Sequence, residues 1–311
     1  MNQSLRKIHL IIRLARLHFL FPGFLLFLLG YLIAIFSGIT SDIFKFLFGY
    51  LIFSLAHLSI SFSNDYFDRF SDITSEKTSF TGGSKVLVEN PKIAGLAHKI
   101  AIILLVASAT LIVIFAFFYG YSVWFVIYGI LGGLLGYFYS APPLKFSYRG
   151  LGELVSIFSI GFLIPGMGSL VASGSLDQSI ALFVFPLSCY GLFFILTVEM
   201  PDLESDKIGQ KNNMIVKWGR KTGHILMSCS TGFATLFILV LEIYGAFAIY
   251  FPFGLFALLS SIPFFVAVRG LIKNSSERKF LNQQVKLNII SIICFILVID
   301  IILVGKKLLF Y

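Results

Sequence analysis

The chain is poor in charge. Asp, Glu, Lys and Arg make up 13% of its 311 residues, about half of the ~25% found in soluble domains. That shortage excludes a soluble globular enzyme, a disordered chain and a nucleic-acid-binding domain, each of which needs a solvated or basic surface. Cysteine is scarce as well. Cys189, Cys229 and Cys294 lie far apart in apolar stretches, so neither a disulfide framework nor a zinc site is indicated. His9, His18, His98 and His224 have no metal-ligand spacing. A P-loop, a dinucleotide fingerprint and a Ser–His–Asp arrangement are also missing.

What the chain has instead is apolar length. Hydrophobic residues are 58% of the sequence, roughly 180 residues, close to nine spans of ~20, the length a helix needs to cross ~30 Å of hydrocarbon. Apolar runs fall at roughly 18–38, 43–63, 99–119, 122–140, 151–173, 178–198, 224–245, 247–269 and 288–305. They lack the alternation of barrel strands. In lipid their backbone must bond internally, so they are helices. The first run is a full span without a small-residue cleavage site, unlike a cleavable signal peptide. The expected fold is all-α: a polytopic membrane protein with nine transmembrane helices in one bundle.

Nine spans put the termini on opposite sides. Of the 24 Lys and Arg, 21 fall in the N-terminal segment and the even-numbered connections, and only Lys45, Lys306 and Lys307 fall on the other side. Such asymmetry places the N-terminus in the cytoplasm and the C-terminus outside, in a cell inner or plasma membrane. It also accounts for the net charge of +9 without a nucleic-acid partner.

The outer connections are short. Two inner ones, about 64–98 and 199–223, are long and hold most of the acids, and together they are expected to form a cytoplasmic cap. One begins Asn64-Asp65-Tyr66-Phe67-Asp68-Arg69-Phe70-Ser71-Asp72, the other Glu199-Met200-Pro201-Asp202-Leu203-Glu204-Ser205-Asp206. On a continuing helix, steps of three and four put Asp65, Asp68 and Asp72 on one face, and Asp202 lies one turn from Asp206. Adding 134 to Asp65, Asp68, Ser71, Asp72 and Lys77 gives Glu199, Asp202, Ser205, Asp206 and Lys211. The offset suggests a four-helix duplication, from the second span to the sixth, that brings both acidic faces to one inner mouth.

Six clustered carboxylates repel one another unless cations hold them. Hard oxygen ligands select Mg²⁺ or Ca²⁺, and Mg²⁺ commonly takes one or two carboxylates, waters and phosphate oxygens. The metal candidates are therefore Asp65, Asp68, Asp72, Glu199, Asp202 and Asp206. Arg69, Lys77, Lys85, Lys145, Arg149, Lys207 and Lys211 are interleaved cations suited to phosphate. Acid, metal and base around an apolar bundle describe a site for a diphosphate on a greasy chain. Asn64 would orient the first motif or donate to phosphate. His57 falls within about 20° of Asn64 and Asp68 at ~100° per residue, which lets it line the same pocket or bond to a neighbouring helix. Asp300, near the outer end of the last span, is explained by snorkelling or helix pairing and is given no role. The competing class is a transporter or cation channel with acids at its cytoplasmic mouth, although transporters more often place such acids near the midplane.

These motifs resemble the UbiA superfamily of intramembrane prenyltransferases, in which an Asn-Asp-x-x-Asp-x-x-x-Asp motif follows the second of nine helices and an Asp-x-x-x-Asp motif the sixth. Asn64, Asp65, Asp68 and Asp72 match the first, and Asp202 and Asp206 the second. Tyr139-Ser140-Ala141-Pro142-Pro143-Leu144-Lys145 is similar to a third family segment, whose Tyr and Lys lie near the diphosphate. The resemblance implies that residues 1–311 form one such domain. It implies Mg²⁺-dependent transfer of a polyprenyl chain from a polyprenyl diphosphate to an aromatic quinone precursor, in contact with membrane lipid. Asp65, Asp68, Asp72, Asp202, Asp206, Lys145 and Tyr139 would be catalytic; Asn64, Arg69, Lys85, Ser140, Arg149, Lys207, Lys211 and His57 would bind substrate. Gly82-Gly83-Ser84-Lys85-Val86-Leu87 and Tyr148 to Glu153 look like the branch that prenylates 1,4-dihydroxy-2-naphthoate for menaquinone. Lys77-Thr78-Ser79-Phe80 stands where the 4-hydroxybenzoate, haem and glyceryl-phosphate branches often have an arginine- and proline-rich segment, whereas Glu199-Met200-Pro201-Asp202 departs from the Asn-rich and Arg-Asp sequence common in the menaquinone branch.

Overall fold

The computed structural model describes residues 3–40, 42–76, 78, 81–245 and 250–310, and among them it is helical with no strand. A short helix, α1 (Gln3–Ala15), precedes nine long ones: α2 (Leu20–Phe36), α3 (Ile43–Asp68), α4 (Ala94–Tyr119), α5 (Val123–Tyr137), α6 (Gly152–Ser173), α7 (Ile180–Glu199), α8 (Met214–Tyr244), α9 (Phe253–Lys273) and α10 (Arg278–Phe310). Eight helical stretches among the described residues are long and apolar enough to cross a bilayer, the first counted from Leu5 through Phe36; α5 is shorter, at 15 residues. The protein is an integral multi-pass membrane protein, and the nine expected runs correspond in order to α2 through α10. The start expected for the eighth run, at 247, lies outside the described residues.

The bundle has two packed cores that share α2. One joins α2, α3, α4, α5 and the later half of α6 through Phe27, Ile52, Phe115, Phe125 and Val171. The other joins α2 to α7, α8, α9 and α10 through Leu29, Tyr190, Met227, Phe256 and Ile296. Close approach of α2 and α6 depends on missing side chains. A Cβ on Gly30 would lie 1.7 Å from the Pro165 carbonyl oxygen, and one on Gly168 would lie 2.0 Å from that of Phe27. Small residues let helix backbones meet in a membrane, where hydrophobic transfer between helices is absent. Pro165 sits beside a π turn at Ser159–Leu163, which bends α6 where it borders the space between the cores.

A smaller third core packs Leu10 and Leu14 of α1 against Phe62 of α3, Val86, Leu87, and Ala97 and Ala101 of α4. Consecutive antiparallel helices bring the ends of α3, α5, α7 and α9, and the starts of α2, α4, α6, α8 and α10, to one end of the bundle. That end carries the polar connections.

Candidate active site

At that end a cavity of about 430 Å³ runs into the bundle. Its inner wall is apolar, with Ile160 and Ile164 of α6, Phe194 of α7 and Ile289, Ile292 and Ile296 of α10. Its rim holds six carboxylates, Asp65, Asp68, Asp72, Glu199, Asp202 and Asp206, and the cations Arg16 and Lys211. The two acidic segments, distant in sequence, therefore open onto one space.

The geometry of the rim follows from where each chain segment turns. α3 ends at Asp68, and Ser71 bonds back to the Asp68 carbonyl (2.8 Å) as the chain enters a 3-10 turn containing Asp72. Asp68 is the most held of the acids. Tyr148 donates to its Oδ1 at 2.8 Å, Ser140 donates to its Oδ2 at 2.9 Å, and Lys211 Nζ lies 3.5 Å from Oδ2. Lys211 Nζ also lies 3.5 Å from Asp206 Oδ1, while Asn213 donates to Asp206 Oδ2 at 2.8 Å. Asn213 is at the same time the N-cap of α8, accepting from the Val216 amide, so helix capping fixes the second motif. One ammonium thus ties the first acidic motif to the second.

The connection after α3 folds over the rim. Gly82 N–H donates to Asp202 Oδ2 at 3.2 Å, and Ser84 N–H to Asp65 Oδ1 at 3.4 Å. Gly83 has φ +65°, and a Cβ there would lie 2.1 Å from Asp72 Oδ2, so the backbone approaches that carboxylate as only glycine permits. Arg16 Nη1 stands 3.9 Å from Asp65 Oδ1.

Electrostatics at the rim are unbalanced. Burial, followed by the charge of Asp68, pushes the Asp72 carboxyl up to about 7. Burial alone would lower the Lys211 ammonium, but Asp68, Asp206 and other neighbours outweigh it and hold it well above the usual lysine value. The Tyr148 hydroxyl is raised by burial and by Asp68, and that of Tyr139 by burial and by Glu199; Tyr148 therefore serves Asp68 as a neutral donor.

Among the described residues no three acidic, His or Cys groups are arranged around a single metal position. The donor set nevertheless fits a hard divalent cation, which needs only one or two carboxylates when water and phosphate oxygens complete its shell. Buried oxygens are left over for this purpose: Asp202 Oδ1, Glu199 Oε2 and Asn64 Oδ1 have no hydrogen-bond partner. Buried unpaired acceptors are costly, and a bound cation or donor removes the cost.

The remaining expected residues divide. Asn64, His57 and Tyr139 line the cavity; His57 stacks edge-on against Phe53 at 5.5 Å. Ser140 reaches it indirectly, by holding Asp68. Other expected phosphate ligands are not brought there. Lys145 sits exposed in a left-handed turn with Nζ 5.4 Å from the Tyr148 ring. Arg149 and Lys207 are exposed and outside the lining. The Arg69 guanidinium stacks on Tyr66 and Phe70, at 4.4 and 4.3 Å. Lys85 donates to the Asp72 carbonyl and to Ser75, so it knits the connection rather than facing the cavity. Lys77 lies outside the described residues. Conversely, the sequence reading passed over Arg16, Tyr148 and Asn213. Only Asn213 carries a local signal, an Asn immediately before a helix.

An acid-rimmed, apolar-walled cavity at one end of a bundle of membrane-spanning helices defines a class: an integral membrane protein with an internal site for an amphiphilic molecule. Comparison with known proteins narrows it. The model of the UbiA prenyltransferase family matches residues 23–290, and the chain belongs to that family. It is a prenyltransferase, as the paired motifs led us to expect. A 1,4-dihydroxy-2-naphthoate octaprenyltransferase of Bacillus subtilis (strain 168) is 26% identical over 267 residues, covering 84% of this chain and 82% of the relative. Solved structures share the fold. A digeranylgeranylglyceryl phosphate synthase has a TM-score of 0.62 at 18% identity, covering 95% of this chain and 99% of that one. A UbiA homolog from Archaeoglobus fulgidus bound to DMAPP and Mg²⁺ has 0.58 at 15% identity, covering 93% and 98%. One from Aeropyrum pernix K1 has 0.59 at 15%, covering 92% and 98%.

Proposed function

We propose that the protein transfers a polyprenyl chain from a polyprenyl diphosphate to an aromatic quinone precursor, of the 1,4-dihydroxy-2-naphthoate type, in a Mg²⁺-dependent reaction that releases diphosphate. The observation that carries this reading is the excess of charge at the rim: six carboxylates against Arg16 and Lys211 around one cavity. An anionic diphosphate is repelled from such a rim unless divalent cations lie between them. The relative of known acceptor specificity supports the naphthoate class, and the A. fulgidus homolog with its bound Mg²⁺ supports the metal.

Asp65, Asp68, Asp72, Asp202 and Asp206 would hold Mg²⁺, with Glu199 and Asn64 beside them. A metal held by these residues would supply charge neutralisation for the departing diphosphate. Lys211 and Arg16 add fixed positive charge, and Tyr148 and Ser140 keep Asp68 oriented. The allylic C–O bond breaks, a bond forms between that prenyl carbon and the acceptor, and the acceptor loses a proton. Cation character on the prenyl carbon must meet the acceptor before water, and the isoleucine wall from α6 and α10 keeps the tail side of the cavity dry. His57, which lines the cavity from α3, would contact the acceptor. The rim would face the cytoplasm, since the basic residues concentrate at that end, and the two acidic segments would be halves of an internal repeat.

Turnover by the purified protein in liposomes, with a panel of aromatic acceptors and polyprenyl diphosphates, tests this reading. Diphosphate release should require Mg²⁺ and an acceptor, and naphthoate-type acceptors should give the highest kcat/KM. Metal-independent release, or preference for a non-aromatic acceptor, contradicts it.

A further inference from the structure

The catalytic reading leaves α1 unused. At 13 residues it is ~20 Å long, too short to cross ~30 Å of hydrocarbon. Arg16, left-handed at φ 46° and ψ 47°, separates it from the spanning helix α2. Its depth is fixed by what it packs on. Leu10 and Leu14 are buried against Phe62, Val86, Leu87, Ala97 and Ala101, and Phe62 is one turn before Asp65 on α3. α1 therefore lies at the level of the acidic rim.

The opposite side of α1 is apolar and uncovered. At ~100° per residue, Leu5, Ile8 and Ile12 fall within about 60° of one another and roughly opposite Leu10 and Leu14. They are 58, 53 and 54% exposed. Single exposed aliphatics are ordinary, but a continuous stripe marks a contact surface. Arg6 and Lys7, both exposed, stand at its start, and Arg13, on the same flank as Arg6, meets Glu89 at 3.5 Å. A short helix with an apolar stripe and basic flanks lies in the plane of a membrane surface. Its far end leads directly into the site, because Arg16, His18 and Phe19 line the cavity.

We propose that α1 is an in-plane interfacial helix that seats Leu5, Ile8 and Ile12 among acyl chains and Arg6 and Lys7 on anionic phospholipid headgroups, forming the sill over which a lipid-borne diphosphate enters the cavity. The seat of α1 stands on geometry alone; the sill rests on the prenyl transfer proposed above. Arg6, Lys7, Arg13 and Arg16 make the approach positive before the acidic rim is reached. An anionic head is thus drawn along α1, while its chain stays in lipid.

Two measurements on the full-length protein in vesicles of phosphatidylcholine with about one-third phosphatidylglycerol test this. The first introduces Ile8→Trp with Trp124 and Trp218 replaced by Phe, and uses lipids brominated at shallow or deep acyl positions. Shallow bromines should quench most strongly. An unquenched, water-exposed indole would overturn the proposal, and so would strongest quenching by deep bromines, which would make α1 part of a span. This arm needs no turnover, so it stands apart from the transferase reading. The second arm uses the Arg6→Gln, Lys7→Gln pair. KM for a long-chain donor in the bilayer should rise about tenfold, with little change for a short, water-soluble donor. Equal effects on both donors would overturn the sill.

Discussion

Lys211 shows how much one side chain can decide. Its ammonium is 3.5 Å from Asp68 and 3.5 Å from Asp206, so it holds together two motifs that would otherwise repel. Lys211→Met should lower the Tm in metal-free buffer and raise KM for the prenyl diphosphate by about tenfold, the size expected for a lost charge-assisted contact. Lys145→Ala should leave KM within about twofold, as expected of an exposed charge. The reverse ranking would show that the cation at the diphosphate has been misplaced. The acids were legible in the sequence because each motif has a short local spacing at the end of a span, although the helix expected to continue through Asp72 stops at Asp68 and a 3-10 turn carries Asp72. The cations were not, because a long side chain goes where its turn aims it. Lys145 and Lys85 both stand at positive φ, and nothing in their neighbours' identities announces that.

Asp72 gives this site a pH dependence. With its carboxyl pushed up to about 7 by burial and Asp68, it holds a proton below that pH, and a metal must displace that proton. Apparent Mg²⁺ affinity therefore falls as pH drops. The Mg²⁺ concentration for half-maximal turnover should rise several-fold between about pH 8 and about pH 6, and Asp72→Asn should flatten the profile. A wild-type profile independent of pH contradicts the assignment.

At the scale of elements, hydropathy found each span but misjudged several ends, for identifiable reasons. The run at 224–245 is the apolar part of α8, whose first turn from Met214 is set apart by a non-helical break at Gly219 (φ 75°, ψ 168°); Lys217, Arg220 and Lys221 keep that stretch out of the apolar run. α10 likewise begins at Arg278 rather than near 288, and one face of its polar start is buried: Gln284 donates to Asn288, and Asn288 to Thr197 of α7. The run at 122–140 overshoots, since α5 stops at Tyr137 and the Tyr139 carbonyl accepts instead from Ser147 across the following turn. Packing between elements gives a sharper test. Gly168→Val would drive a side chain into the α2 backbone and should cost about 2–3 kcal/mol or more. The result should be reduced folded yield and a lower Tm, whereas Gly132→Ala, with open space around it, should leave both unchanged.

Across the whole molecule, two cores share α2 and leave a cavity between them whose polar end gathers the starts or ends of all nine described helices from α2 to α10. Nine crossings with 21 of 24 basic residues on one side predict that this end is cytoplasmic. In a background lacking the native cysteines, Lys207→Cys should be labelled only from the cytoplasmic side and Ser122→Cys only from outside; the opposite pattern contradicts the orientation. That both acidic segments meet was legible from their shared spacing and their places at the ends of the second and sixth spans. That Arg16 joins them was not, because it depends on the break between α1 and α2.

The central claim is that both segments act as one metal-dependent site, and single-turnover diphosphate release tests it most directly. Wild-type protein should release diphosphate only with Mg²⁺, and Asp68→Asn and Asp202→Asn should each slow release by about 100-fold or more while remaining folded in the bilayer. Release at the wild-type rate by either folded variant would contradict it.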